Sequence, residues 1–295
     1  MKKLFDRENP LLWDESISEN EKSAWIGLIS EAVKSDMQVF PRKTRPANSV
    51  GGPRLVGFGD GAFPAYGGAI HVVWEYSCTD PSTCKADGCG GDKGGGHFEA
   101  FLVLAKDRVT PIRGYTIPRS ELSAGVLVSR MMLRVVKALQ GIDTPPISNI
   151  MLLDSKCTIS TLEVSSSHLK PFFHNRRSEL LENMDAVAKF CEVENVHWVC
   201  SADNVADLLT RGTVKLDEIG PKSIWMKGPK FLQQRRELWP VHRDYVRVEL
   251  PEDEMRATAS YLRVAALKVA NSKNSKIDFK DDMMPEISHD IMEVL

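Results

Sequence analysis

The chain has no run approaching about eighteen consecutive apolar residues, so no membrane-spanning helix is expected. Its opening, Met1-Lys-Lys-Leu-Phe-Asp6, lacks the long apolar stretch of a secretory signal. An excess of basic charge is also missing. The formal net charge is −2, so any binding of nucleic acid falls to a local patch rather than to a global field. Nor is there a disulfide framework. Of six cysteines, Cys78, Cys84 and Cys89 cluster, while Cys157, Cys191 and Cys200 sit singly in apolar-patterned segments, which fits a reducing compartment. What the chain does have is length and apolar content. Its 295 residues, 42% hydrophobic, suffice for one large domain or two ordinary ones with a real core.

The first fifty residues read as a helical connector. Trp25, Leu28, Ile29, Ala32 and Val33 recur at helical spacing after the capping candidates Ser16, Ser18 and Asn20, which predicts an amphipathic helix packed on another element. Pro41 and Pro46 then enforce an extended link. From Arg54 the pattern turns to strands, over Val56–Asp60, Gly67–Tyr76 and Phe98–Lys106, with Pro111–Ile117 as a further edge or connecting strand. A helix opens near Pro118, with Ser120 as its cap and Glu121 in its first turn, and runs to Gln140-Gly141. It is apolar on most sides, so it should be central and buried.

Asn149–Asp154 is a continuous apolar run ending in a carboxylate, the mark of a parallel inner strand reached by a crossover. A short helical piece over Cys157–Glu163, a helix over Asn175–Cys191, a strand over Asn195–Cys200 and a short helix over Asp203–Arg211 follow. This order makes the fold α/β, a mixed sheet with helices on its faces. The expected organisation is a connector (1–50), the α/β domain (51–215), an aromatic-anchored strap (216–250), and a polar helix with a disordered tail (251–295).

Four acids stand in distinct settings. Asp60 and Asp154 each end an apolar strand, Glu121 begins the buried helix, and Asp207 lies in the helix after the last strand. If the two strands are neighbours, their acids lie side by side, and the helix start can present Glu121 to the same spot. Carboxylates so gathered raise one another's pKa unless a cation is present. Mg²⁺ or Mn²⁺ is the natural counter-charge, and two such ions about 4 Å apart can act on a phosphodiester. Each acid also has an ordinary explanation: a turn former, a macrodipole partner, a solvated helix residue. Asp203 competes for the fourth position, although its place favours an N-cap.

The run from Leu55 to about Pro240 resembles the ribonuclease H region of retrotransposon polyproteins, most closely the BEL/Pao class of LTR elements. The resemblance is carried by Phe58-Gly-Asp60-Gly-Ala62, Ala65-Tyr-Gly-Gly-Ala69, Thr116-Ile-Pro-Arg-Ser-Glu121-Leu122, Leu153-Asp-Ser155, Phe173-His-Asn-Arg176 and Ala206-Asp-Leu-Leu-Thr-Arg-Gly212. Trp225-Met-Lys-Gly-Pro-Lys-Phe-Leu232 and Trp239-Pro240 look like the strap that follows that region, and Leu12-Trp-Asp14 like the connector before it.

The resemblance implies a ribonuclease H-like mixed five-stranded sheet with helices on both faces. It also implies a D-E-D-D set, Asp60, Glu121, Asp154 and Asp207, as catalytic residues and ligands of two Mg²⁺ ions, with Mn²⁺ an acceptable substitute. The implied reaction is hydrolysis of the RNA strand of an RNA–DNA hybrid, with Glu121 reading the 2′-hydroxyl. Asn175, Arg176 and Arg177 are candidates for phosphate contacts, against the plain reading of a solvated helix end. A reverse transcriptase polymerase domain is the implied protein partner. The implied setting is a virus-like particle or the cytosol, with the nucleus as an alternative.

There are departures. No Tyr-x-Asp-Asp signature of a polymerase palm occurs, so the chain is not expected to be a complete reverse transcriptase, and no integrase domain is expected after the strap. Gly59 and Gly61 stand where the family commonly carries Ser or Ala, which predicts a looser hold on Asp60. Cys78, Cys84, Cys89 and His97 surround a Gly-rich loop, but the spacing lacks the tight C-x2-C pairs of structural Zn²⁺ sites, so a decorated hairpin is preferred to zinc. The competing function is a catalytically silent hybrid-binding or scaffolding module. A transposase- or integrase-like core is disfavoured by the Glu in the first long helix.

Overall fold

The computed structural model describes residues 12, 14–36, 43–77, 97–111, 115–211, 214–241 and 248–256. Two compact units divide the chain, Met1–Glu254 and Met255–Leu295, and every element described below belongs to the first. Cys78, Cys84, Cys89 and most of the expected helix over Glu252–Ala270 lie outside the described residues. Among the described residues no helix is long and apolar enough to cross a membrane.

The elements run α1 (Glu19–Asp36), β1 (Ser49–Gly61), β2 (Ala65–Tyr76), β3 (His97–Val109), α2 (Ile117–Ala138), β4 (Ser148–Leu153), α3 (Lys156–Glu163), α4 (Pro171–Ala188), β5 (Glu192–Trp198), α5 (Asp207–Thr210), α6 (Leu216–Ile219) and α7 (Ile224–Lys227). The five strands lie in the order β3-β2-β1-β4-β5. β1 pairs antiparallel with β2 and parallel with β4, and β5 continues parallel beyond β4. The antiparallel side forms from consecutive hairpin strands, whereas the parallel side needs helical crossovers, supplied by α2 and by α3–α4.

Alternation along the central strands sorts the core into two layers. Leu55, Met151 and Leu153 pack with Val128, Met132 and Val135 of α2 and with Leu180 and Met184 of α4. Val56, Phe58, Ile150 and Leu152 face the other way, against Val199, Val205 and Ala206 and against Phe231, Leu232 and Trp239 of the strap. Short helices and the strap therefore cover the face opposite α2 and α4. His71, buried on that second face, reaches the Trp225 carbonyl at 2.9 Å.

The close seat of α2 depends on missing side chains. A Cβ on Gly68 would lie 2.3 Å from Val128 Cγ2 and one on Gly57 2.6 Å from Val128 Cγ1. The sheet is bare there so that the helix can approach.

Several boundaries differ from the sequence reading. α2 is capped by the Thr116 side chain, not by Ser120. Glu121 consequently sits in the second turn, where the helix dipole offers it little. Ser120 Oγ instead donates to the Ala62 carbonyl at 2.8 Å, tying the helix to the end of β1. Pro111 and residues 115–116 form no strand. α4 starts at Pro171, because proline fits the first helical position, where no amide hydrogen is needed. The stretch expected as one helix over Asp203–Arg211 is a 3₁₀ turn, Ser201–Asp203, followed by α5. Trp25 of α1 is half-buried but Leu28, Ile29 and Val33 are exposed, so among the described residues most of the packing expected of that helix is not made.

Candidate active site

β1 and β4 run parallel with Gly59 opposite Leu153, so Asp60 and the residue after β4, Asp154, stand side by side at the same end of the sheet. Both continue the row of Val56, Phe58, Ile150 and Leu152 and point toward the face that α5 covers. Glu121 comes from the opposite face. Its backbone is brought to the strand end by Gly61, where a Cβ would meet the Glu121 amide nitrogen at 2.3 Å and the Ser120 carbonyl carbon at 2.4 Å. Gly61 is therefore what lets α2 touch the end of β1.

Each acid has a local partner. The Thr210 hydroxyl donates to Asp60 and the Ser155 hydroxyl to Glu121. Ser155 also caps α3 through the Thr158 amide at 3.1 Å. Asp154 accepts from the side chains of Ser201 and Asn204. Asp207, the first residue of α5, pairs with Arg211 Nε at 2.7 Å, and Arg211 also reaches Glu218 at 3.2 Å. That pair is half exposed and contributes little stability.

Burial pushes the carboxyl of Glu121 up to about 7; the Ser155 hydrogen bond opposes this, and the charges of Asp154 and Asp60 add to it. Asp60 is likewise raised, by burial first and then by Asp154 and Asp207, against the Thr210 bond. Asp154 is raised by burial and by Asp207, against its two side-chain donors. Glu121 thus feels the charges of Asp60 and Asp154, and those two feel that of Asp207. Among the described residues, however, no group of three or more His, Cys, Asp or Glu side chains is set to hold one ion as the side chains stand. The donor chemistry fits a hard divalent cation, being all carboxylate, while the orientations turn toward hydroxyl, amide and guanidinium partners.

Asn204 carries no distinct mark in the sequence as part of the site. It is buried, donates from Nδ2 to the Gly59 carbonyl at 3.0 Å, accepts from the Ala206 amide at 3.2 Å, and bonds Asp154. One amide thereby joins the residue before Asp60, the residue before Asp207, and Asp154 itself. Its only sequence signal was a polar residue between an apolar strand and an acid.

The three expected phosphate contacts lie in the second turn of α4. Asn175 is exposed, and Arg176 pairs with Glu179 at 3.4 Å beside the Phe172 ring. Arg177 Nη2 donates to the Leu162 carbonyl at 3.0 Å, so that side chain is engaged within the fold. His97 is buried against the Tyr76 ring, with ring centroids 5.3 Å apart.

Strand order 3-2-1-4-5, antiparallel on one side of β1 and parallel on the other, with acids gathered where the pattern switches, defines a ribonuclease H-like α/β domain. Residues 90–155 match the family described as Pao retrotransposon-like RNaseH-like domain. The matched stretch contains Glu121 and Asp154, while Asp60 and Asp207 fall on either side of it. Among solved structures, the N-terminal RNase H domain of a Mycobacterium tuberculosis protein, fused to maltose-binding protein, aligns at 16% identity over 52% of this chain and 86% of that one, with a TM-score of 0.31. RNase H1 of the halophilic archaeon Halobacterium salinarum aligns at 17% identity over 51% and 89%, with a TM-score of 0.29. No curated protein matches the chain significantly.

Proposed function

We propose that this chain is a metal-dependent endonuclease that hydrolyses the RNA strand of RNA–DNA hybrids, as part of a retrotransposon-derived Pol protein. The observation that carries the reading is the meeting of Asp60, Glu121 and Asp154 at the end of two central strands, with Asp207 in electrostatic reach. Three raised carboxyls in one place are an unfavourable arrangement for a metal-free fold and a useful one for a site that binds divalent cations.

Magnesium or manganese, when bound, would supply Lewis-acid activation of water and neutralise charge at the scissile phosphate. Asp60 and Asp154, fixed by adjacent parallel strands, would form the rigid part of the ligand set. Glu121 would exchange its Ser155 hydroxyl for the cation and read the 2′-hydroxyl beside the scissile bond. Asp207 would trade its Arg211 pair for the same duty. Asn204 would keep the three acid-bearing segments in register throughout.

The partner-directed orientations favour a second reading, a silent hybrid-binding or scaffolding module that works beside a reverse transcriptase polymerase domain. A labelled RNA–DNA hybrid incubated with the purified chain and Mg²⁺ separates the two. Hydrolysis of the RNA strand by the wild type and none by Asp154→Asn supports the nuclease; binding without hydrolysis by either supports the module.

A further inference from the structure

The last stretch of the first unit is acidic. Glu249, Glu252, Asp253 and Glu254 fall within six residues of one another. Residues 248–254 lie against α3 and the start of α4: the Val248 amide donates to Ser160 Oγ at 3.1 Å, the Lys170 amide to the Glu254 carbonyl at 2.9 Å, and Lys170 Nζ to the Asp253 carbonyl at 2.5 Å. Glu254 ends the stretch with a side chain only 3% exposed. Arg119 grips it with both arms, Nε to Oε1 at 2.6 Å and Nη2 to Oε2 at 3.1 Å.

The surroundings are unusual for a simple tether. The Arg119 guanidinium lies 5.0 Å from the Phe172 ring centroid, and that of Arg176 lies 5.5 Å from the same ring. Phe172 meets Tyr115 edge-on, and Tyr115 stacks on Tyr66. Tyr66 is the strand partner of Gly61, the residue after Asp60. A basic and aromatic track therefore leads from the carboxylate end of the sheet to Arg119. A two-pronged guanidinium–carboxylate pair has the geometry of a guanidinium–phosphate pair, and a buried ion pair adds little net stability.

We infer that Arg119, with Lys170 and Arg176, forms a subsite for a backbone phosphate of the bound nucleic acid, and that Glu254 fills it in cis as a removable mimic of that phosphate. The inference rests on the proposed hybrid nuclease and adds a form of self-restraint to it. Release needs only local opening, because residues 248–254 belong to no strand and no long helix.

The test compares wild type, Glu254→Gln, Arg119→Ala and the double variant for binding of an RNA–DNA hybrid in EDTA, where the proposed hydrolysis is off. Glu254→Gln is expected to bind about five- to ten-fold tighter, with a salt dependence steeper by about one ion, and to gain nothing in the Arg119→Ala background. A folded Glu254→Gln with unchanged or weaker binding overturns the subsite. If Glu254→Gln fails to fold by circular dichroism, the exposed pair Glu252→Gln/Asp253→Asn replaces it; tightening of about two-fold is then expected, and no change overturns the inference. Wild-type hydrolysis in Mg²⁺ without tightening in these variants removes the subsite alone. Absence of both binding and hydrolysis in every form removes the nuclease reading with it.

Discussion

Gly61 and Glu121 touch through their backbones: a methyl group on Gly61 would stand 2.3 Å from the Glu121 amide nitrogen. This contact couples the end of β1 to the second turn of α2, and so couples Asp60 to Glu121. Gly61→Ala is expected to push α2 away, costing roughly 1–3 kcal/mol as an overpacked site does. Activity should fall more than stability, because the shift separates two acids. Gly141→Ala, with nothing within 4 Å of the added carbon, is the control. Denaturant unfolding together with hybrid cleavage checks both.

Protonation of Glu121 and of His71 should pull stability in opposite directions. Glu121 is raised to about 7 from 4.5, so between those pH values the folded protein holds a proton that the unfolded chain has lost. Metal-free stability contributed by this group therefore falls as pH rises, by roughly 3 kcal/mol at most. Asp60 and Asp154 act in the same sense. His71 is held down to about 4 from 6.5 by burial, against its bond to the Trp225 carbonyl. Its contribution is present above pH 6.5 and lost as pH falls toward 4. Glu121→Gln should accordingly shift the melting-temperature profile between pH 5 and 7 toward greater stability at the higher pH, and His71→Gln toward greater stability at the lower. Profiles of both variants parallel to wild type in metal-free buffer would contradict this.

Asn204 is a positioning residue. Asn204→Ala removes a buried hydrogen bond to the Gly59 carbonyl, which costs roughly 1–3 kcal/mol. Beyond that loss, the Mg²⁺ concentration giving half-maximal cleavage should rise by about ten-fold, because Asp154 loses a donor and the segments bearing Asp60 and Asp207 lose their common tie. A merely structural residue would lower the melting temperature and leave the metal requirement unchanged.

The strap should behave as part of the core. Leu232 is fully buried against the second face of the sheet, so Leu232→Ala is expected to cost about 2–5 kcal/mol, measurable by urea unfolding.

Much of this architecture could be read from the residues. The apolar run ending at Asp154 predicted a parallel inner strand, and the place of β4 between β1 and β5 bears that out. The long apolar pattern after Pro118 predicted a buried central helix, and α2 is one. Boundaries were harder to read, because capping is decided by tertiary partners. Ser120 resembles a cap in isolation, yet its hydroxyl is claimed by Ala62, far away in sequence. Asn204 was illegible for the same reason: all that marks it is three bonds to segments brought together by the fold. The orientation of the acids was also out of reach, since their hydroxyl partners, Thr210 and Ser155, are identified only by contact.

Titration of the metal-free chain with Mn²⁺ by calorimetry tests the central claim most directly, with Asp60→Asn and Asp154→Asn beside the wild type. The wild type is expected to bind, and each variant to lose at least about ten-fold in affinity while staying folded. Superimposable isotherms for all three, or no binding by the wild type, would contradict a cation site at the shared end of β1 and β4.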